Sequence, residues 1–435
     1  MNAIFFALIF IAFAIAGYRE LTWPGPEGAV GAGAASPMEV LTLAVVDSAG
    51  GAVTLAIGLV GMMALFLGLM KVAEAGGLLA IIARVVRPLM VRLFPEVPAD
   101  HPAMGAMILN ISANVLGLGN AATPFGIRAM QELDKLNADK GTATNAMALF
   151  LAINTSSVTL LPTGIIALRA AAGSDDPAAI LPTTLFATVC STAVAILAAK
   201  LYQRLSAAPA APPGGAAAAS ATQSGAPGAA LEPAASEAYP AWVSWLALLG
   251  VAAIVPLAIL YGRTISPWIV PGLVVLLLGF GLLRGVRVYE VFVEGAKDGF
   301  QVALRIIPYL VAILVAVGMF RASGAMELLL GPLGAVTSAF GLPPEALSMA
   351  LLRPLSGSGA YGLVAATLES AGPDSYTGYL VSTLQGSTET TFYVLAVYFG
   401  AVQVRRVRHA LAAGLTADLA GVVAAVVICS LLFAG

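Results

Sequence analysis

Nine stretches of this chain are apolar over about the length that a helix needs to cross a bilayer, roughly 20 residues. Seven run with little interruption, at 1–17, 50–70, 178–204, 242–262, 265–284, 304–322 and 411–434. Two more, at 143–169 and 376–400, are long enough but carry polar residues near their middles. Of the 435 residues, 59% are hydrophobic and 10% charged, against about 25% charged in soluble domains. The expectation is an integral membrane protein in contact with a lipid bilayer. A formal net charge of −2 carries no nucleic-acid signal. Cys190 and Cys429 each lie in a long apolar run, which argues against a disulfide framework or a thiolate metal site. His101 and His409 are too far apart in sequence for a metal centre. No catalytic residue, metal or cofactor is expected, and the chain reads as something other than an enzyme. The opening "MNAIFFALIFIAFAIAG" could pass for a signal peptide ending at Ala14-Ile15-Ala16. It lacks a basic n-region and is read as a retained first membrane helix.

Between the spans the chain repeats itself. Each part runs through a span, an acidic amphipathic stretch, a second span, a shorter amphipathic helix, a broken apolar region, an interrupted span and a final span. The acidic stretches are 38–51 and 289–300, the amphipathic helices 77–94 and 323–340, and the broken regions 101–136 and 345–372. The amphipathic helices are expected to lie in the membrane interface. "FLGLMKVAEAGGL" (66–78) echoes "AVGMFRASGAMEL" (316–328), and "INTSSVTLLP" (153–162) echoes "LQGSTETTFYV" (384–394). Such internal repeats set the fold reading. Residues 206–240 are rich in Ala, Pro, Gly and Ser, the composition of a disordered linker. The expected organisation is a first repeat at 1–205, a cytoplasmic linker at 206–240, an extra connecting span at 241–264 and a second repeat at 265–435.

If the broken regions enter and leave on one side, five spans separate the starts of the two repeats. Five is odd, so the second repeat is inverted relative to the first. The Lys and Arg residues test this map. The side holding Lys71, Arg84, Arg87 and Arg92 receives sixteen, and the other receives Arg19, Arg169, Arg263, Arg321 and Arg353, together the 21 of the chain. That bias marks the first side as cytoplasmic. It places the N-terminus and linker inside and the C-terminus outside, in a bacterial cytoplasmic (inner) membrane. A full span at 101–136 would erase most of the bias, which favours re-entrant hairpins.

The broken regions hold the polar residues. "NVLGLGNAATPFG" (114–126) contains a match to the dinucleotide-binding G-x-G-x-x-A pattern at Gly117–Ala122. That reading needs a preceding strand, a following helix and an acid about 20 residues on. The preceding "HPAMGAMILNISA" has no strand character, and the nearest acids, Glu132 and Asp134, sit beside Lys135 in a turn. A re-entrant tip explains more. Asn110, Ser112, Asn114, Gly117, Gly119, Asn120, Thr123 and Pro124 concentrate breakers and short polar side chains at mid-region. Irregular backbone at that depth survives only when buried in protein or lining a wet cavity. A helix restarting at Thr123-Pro124 would have a capping hydroxyl and a proline at its first position. The mirror segment "RPLSGSGAYG" (353–362) offers Arg353, Ser356 and Ser358 at its tip.

The interrupted spans add Asn154, Thr155, Ser156 and Ser157 in the first part and Gln385, Ser387, Thr388 and Glu389 in the second. Polar half-helix ends meeting near the midplane are the usual build of a secondary transporter's site. Their N-termini suit anions, and Arg353 suits a carboxylate or phosphate. Glu389 and Asp418 are ionisable groups inside spans and are candidates for proton or cation coupling. The competing reading is close helix packing by small residues. Packing leaves unexplained why all four clusters fall at matching positions.

The motifs are long enough to carry a resemblance. "NISANVLGLGNAATPFGIRAMQELDKLN" with "LAINTSSVTLLPTGIIALR" resembles the spore maturation protein A family. "FVEGAKDGFQVALRIIPYLVAILVAVGMFR", "RPLSGSGAYG", "GPDSYTGYLVSTLQGSTETTFYVLAVYFG" and "RRVRHALAAGLTADLAG" resemble the spore maturation protein B family. Over about residues 1–204 and 265–435 the chain resembles a natural fusion of the two. Both lie in the nucleoside-recognition (Gate) superfamily, whose layout is similar to that of concentrative nucleoside transporters. The resemblance implies re-entrant hairpins and a central site, and it leaves room for elevator-type movement. The fold expectation is an all-α polytopic membrane protein of two inverted repeats. Each has one re-entrant helical hairpin and one unwound transmembrane helix, with about nine transmembrane helices in all plus the two hairpins. The expected function is secondary transport of a small polar or anionic metabolite, nucleoside-like or carboxylate-bearing, bound between the hairpin tips and unwound helices. A non-transporting membrane scaffold in envelope or spore maturation is the alternative, and a homo-oligomer is left open.

Overall fold

The structure is a computed structural model that describes residues 2–25, 35–117, 119–206 and 239–433. Most of the expected linker, and Leu118 in the first hairpin tip, fall outside the described residues. Among the described residues the secondary structure is helical, apart from one 3-10 turn, Pro177–Ile180, and an isolated bridge between Thr142 and Arg406.

Eight helices precede the linker segment. They are α1 (Asn2–Leu21), α2 (Pro37–Ala75), α3 (Leu78–Leu93), α4 (Pro102–Val115), α5 (Gly119–Lys135), α6 (Asn145–Thr155), α7 (Thr163–Ala171) and α8 (Leu181–Leu205). Eight follow it: α9 (Ala241–Leu283), α10 (Val288–Ala322), α11 (Ala325–Ser338), α12 (Pro344–Leu352), α13 (Gly357–Ala371), α14 (Tyr376–Ser387), α15 (Thr391–Gly400) and α16 (Ala410–Phe433). The two series correspond element by element. Even their sharpest corners match: α2 turns into α3 through Gly77 (φ 84°), and α10 into α11 through Gly324 (φ 77°). Glycine takes this left-handed conformation without a Cβ clash.

The second helices of the two series pack on each other antiparallel. Gly68 of α2 lies against Phe292, Met63 and Ala64 lie against Gly299, and Ser48 lies against Gly318. Numbers rise along α10 as they fall along α2. Small residues at such a seam let two backbones approach closely. α2 is one rod of 39 residues, about 58 Å long, so the expected acidic stretch 38–51 and span 50–70 are continuous. α10 likewise joins 289–300 to 304–322. The glycines between them cost about 1 kcal/mol each in a helix, too little to break it. At its start α2 has a capping box. Ser36 Oγ accepts from the Glu39 N–H (3.3 Å), and the Glu39 carboxylate accepts from the Ser36 N–H (2.8 Å).

Helix α9 is helical from end to end, so the two spans expected at 242–262 and 265–284 are not separated by a loop. It is not straight, however. Tyr239 N–H donates to the Arg84 carbonyl (3.3 Å), and Arg284 Nε donates to the Gly76 carbonyl (3.0 Å). Those two acceptors are about 12 Å apart along α3, whereas 43 residues of straight helix span about 65 Å. The two ends of α9 therefore lie far closer together than a straight helix allows, and the helix also contacts the 3-10 turn that precedes α8.

Three described stretches are long and apolar enough to cross a membrane by length and composition: Pro37–Ala75, Pro177–Leu205 and Ala410–Phe433. The interrupted spans break where the sequence places polar residues, at 156–162 between α6 and α7 and at 388–390 between α14 and α15. Helix α6 is buried from Ala146 to Thr155 and forms the centre of the core. The first hairpin departs from the sequence expectation. α5 starts at Gly119, and Pro124 lies inside it instead of opening a helix at Thr123. Only one helical hydrogen bond is lost when proline sits so close to a helix start.

Loops from the two series join at both ends of the molecule. At one end Arg405 N–H donates to the Gly141 carbonyl (2.8 Å) and Ala143 N–H to the Arg406 carbonyl (2.9 Å). At the other, buried Arg169 pairs with Asp374 (2.8 Å) and stacks 4.4 Å over the Tyr379 ring. Asp374 also accepts from Ser174 Oγ (2.6 Å) and from the Asp175 N–H (2.8 Å). Partial burial opposes its ionisation, but those two donors and the Arg169 charge outweigh it and hold the carboxyl below the ordinary carboxylate range. A depressed folded-state value gives stability that is complete above the unfolded value, near 4, and is lost as pH falls through the folded one. Asp374→Asn is therefore expected to lower the unfolding temperature of the purified protein at pH 7. The gap from wild type should close on acidification below about pH 4.

Candidate functional site

The two hairpin tips and the two breaks converge. In the first series Leu160 N–H, within the α6–α7 break, donates to the Val115 carbonyl at the α4–α5 tip (2.9 Å). In the second, Phe392 N–H, just past the α14–α15 break, donates to the Pro354 carbonyl at the α12–α13 tip (3.1 Å). A third bond crosses between the series, from Glu389 N–H to the Thr155 carbonyl (2.8 Å). Gly117 belongs to this geometry, because a Cβ there would collide with the Leu161 carbonyl.

Around the first tip the side chains form an amide network. Asn114 Nδ2 donates to Asn154 Oδ1 (3.0 Å), and Asn154 Nδ2 donates to the Phe150 carbonyl (2.9 Å). Asn110, fully buried, donates to the Ala122 carbonyl across the hairpin (2.8 Å) and to Tyr398 Oη (3.1 Å). Tyr398 Oη donates in turn to Asn154 Oδ1 (3.3 Å). Asn110 Oδ1 is left without a partner. Tyr398 lies on α15 and was not legible as a site residue in "FYVLAVYFG", which reads as plain span. Its ring occupies the space that a side chain at Gly126 would need. Tyr398→Phe is expected to cost about 1–2 kcal/mol, because it strands a buried donor on Asn110. Thermal unfolding would register this as a small drop.

Around the second tip the groups are charged. Arg353, 7% exposed at its side chain, donates to Thr390 Oγ1 (3.0 Å) and to the Thr388 carbonyl, and it lies 3.6 Å from the Glu389 carboxylate. Asp418 of α16 is buried and accepts from Thr391 Oγ1 at 2.6 Å. Ser356 caps α13 by accepting from the Gly359 N–H (3.0 Å). A cavity of about 10 Å³, bounded by Arg353, Pro354, Leu384, Ser387, Thr388 and Asp418, lies between these groups. That is room for about one water. A larger cavity of about 130 Å³ lies elsewhere, among Ser48, Gly318, Arg321, Glu369 and Ser370, and contains none of the break residues.

Not every expected site residue turns a free group to the junction. Ser112, Thr155, Ser156, Ser157 and Ser387 each donate to a carbonyl three or four residues back in their own helix. Their donors are spent on the backbone, a recurrent use of Ser and Thr in helices. Ser358 is exposed, Thr123 is half-buried, and Gln385 keeps Oε1 unpartnered. Gly119 opens α5. The side chain of Asn120 lies outside what the structure describes.

The Gate family profile, described as nucleoside recognition, matches residues 56–172 and 303–405, half of the chain. The chain belongs to the Gate family. The two matched segments of this Gate protein take in both hairpins and both breaks. Spore maturation protein B of Bacillus subtilis (strain 168) is 48% identical over 164 residues, covering 38% of this chain and 92% of that protein. Spore maturation protein A of the same organism is 47% identical over 154 residues, covering 35% of this chain and 79% of that protein. Each relative accounts for part of the chain, as a fusion of the two types would. Among solved structures, the Alcanivorax borkumensis YdaH transporter aligns over 98% of this chain and 97% of its own, at 15% identity and a TM-score of 0.41.

Proposed function

We propose that this Gate protein is a secondary transporter of a small polar or anionic metabolite, nucleoside-like or carboxylate-bearing. It works as a carrier in a bacterial cytoplasmic membrane, with the N-terminus and linker inside and the C-terminus outside. In this reading the two helix series are inverted repeats comprising about nine crossings and two re-entrant hairpins. The domain limits are 1–205, 206–240, 241–264 and 265–435. The observation that carries the proposal is the bond from Glu389 N–H to the Thr155 carbonyl. It puts two broken helices back to back, with a buried guanidinium and two carboxylates beside them. Buried charge within a hydrophobic helical assembly is costly and marks a functional site. Glu389 and Asp418 are the candidates for coupling to a proton or cation.

A second reading, a membrane scaffold in envelope or spore maturation, draws on the names of the two relatives and on a cavity beside Arg353 and Asp418 that holds about one water. One screen separates the two. Purified protein is heated with nucleosides, amino acids and dicarboxylates in turn. A carrier is expected to be stabilised by one class, with radiolabelled uptake of that class into proteoliposomes. Stabilisation by none of them, with partner proteins still co-purifying when Arg353, Ser358 and Asn154 are changed to alanine, would leave the scaffold standing.

A further inference from the structure

Asp418 and Arg353 each keep one buried polar atom without a partner, Oδ1 and Nε respectively. Both residues line the same water-sized cavity. Asp418 Oδ2 is already engaged by the Thr391 hydroxyl. The charge count around them is short. Asp418 is the single charged residue of α16, and α6, α14 and α15 carry none. α8 contributes Lys200 and Arg204 only at its far end, where Lys200 is bound to the Leu93 carbonyl (3.0 Å). Arg353 is therefore the charge that shares the cavity with Asp418, and Glu389 joins the group through its contact with the guanidinium. With both carboxylates ionised, this group holds two negative charges against one positive charge in low dielectric. Glu389 is 53% exposed at its side chain and lies 3.6 Å from the guanidinium, while Asp418 is buried. Burying an excess charge is costlier than neutralising it.

We infer that Asp418 is a proton-binding site whose occupancy is set by Glu389. While Glu389 lies against Arg353, Asp418 is neutral and carries its proton on Oδ1. When Glu389 leaves the guanidinium, the proton passes from Oδ1 to water in the adjoining cavity. The resulting carboxylate then becomes the counter-ion of Arg353. One proton is released for each Glu389 displaced, and no other co-reactant is needed. A solute that pulled Glu389 away would release a proton from the site, whereas one that took its place on Arg353 as an anion would not. This rests on the proposed reading of Arg353, Glu389 and Asp418 as the site, but it can be tested without any substrate.

Infrared spectroscopy of the full chain in lipid nanodiscs reads protonated carboxyl groups directly. The wild-type protein at pH 7 is expected to show a protonated-carboxyl band that is missing in Asp418→Asn. Glu389→Gln removes the competing negative charge, so Arg353 becomes free to pair with Asp418. The band should then be lost at pH 7 and return only at a proton concentration at least roughly tenfold higher, one unit of pH. Glu389→Asp keeps the charge and should retain the band, which guards against a general disturbance of the fold. A band that survives in Asp418→Asn, or that is unchanged in Glu389→Gln, would overturn the inference. The transporter reading fails separately, if no metabolite class binds while the band behaves as described. A metabolite that is carried while the band ignores Glu389 would sink the proton site alone.

Discussion

Arg353→Ala is expected to abolish the ligand-induced thermal shift altogether and to lower the unfolding temperature of the unliganded protein. The guanidinium holds three groups of the α14–α15 break: the Thr388 carbonyl, the Thr390 hydroxyl and the Glu389 carboxylate. Truncating it leaves the Thr388 carbonyl unmet and the Glu389 carboxylate without its counter-ion. Breaking a buried charge pair from one side costs about 3–5 kcal/mol, and the exposure of Glu389 on the other side places this case toward the lower end. Arg353→Lys restores the charge but not the fork that spans two oxygens at once. It should recover part of the stability and little of the ligand response. Full ligand response in Arg353→Ala would remove the second hairpin tip from the site.

The second large effect concerns the seam between the two series. A Cβ at Gly299 would stand 2.7 Å from Ala64 Cα. The obstacle is backbone, which cannot rotate away as a side chain can. Gly299→Leu is expected to force α2 and α10 apart and to cost more than the roughly 1–3 kcal/mol of ordinary overpacking. Size-exclusion of detergent extracts should show most of the variant aggregated or degraded. Gly272→Leu is the control, since nothing lies within 4 Å of an added Cβ there, and it should elute as wild type. Equal behaviour of the two variants would contradict the antiparallel seam.

Much of this arrangement is legible in the chain as written. The polar clusters at 154–157 and 385–389 mark two helix breaks, and the structure interrupts helices at 156–162 and 388–390. Ser356 stands where the second tip turns back into helix and caps it. Arg353 stands out as the basic residue of the breaks, and it is the one that clamps one of them. Other features were hidden for identifiable reasons. The continuity of α2 across 48–52 was hidden because the paired glycines of "SAGGA" look like a stop, although their cost in a helix is too small to break it. The α5 start at Gly119 depends on the hairpin partner, as Asn110 reaches across to the Ala122 carbonyl. Tyr398 gives no local signal, since an aromatic in an apolar run is ordinary. Several hydroxyls counted toward the site bond their own helix, a choice that spacing cannot display.

What the sequence determined by itself is what local composition controls: a chain made for lipid, two repeats of one element order, and breaks at fixed places in each. Apolar length and helix-breaking residues act over a few turns of chain, so they can be read without knowing any partner. The tertiary structure decided which groups meet. Tyr398 reaches Asn154 across 244 residues of sequence, and Glu389 reaches Thr155 across a similar distance. Whether a buried Asn, Arg or Asp is satisfied, strained or free to act depends on partners brought by folding, because a buried polar group takes its energy from what faces it.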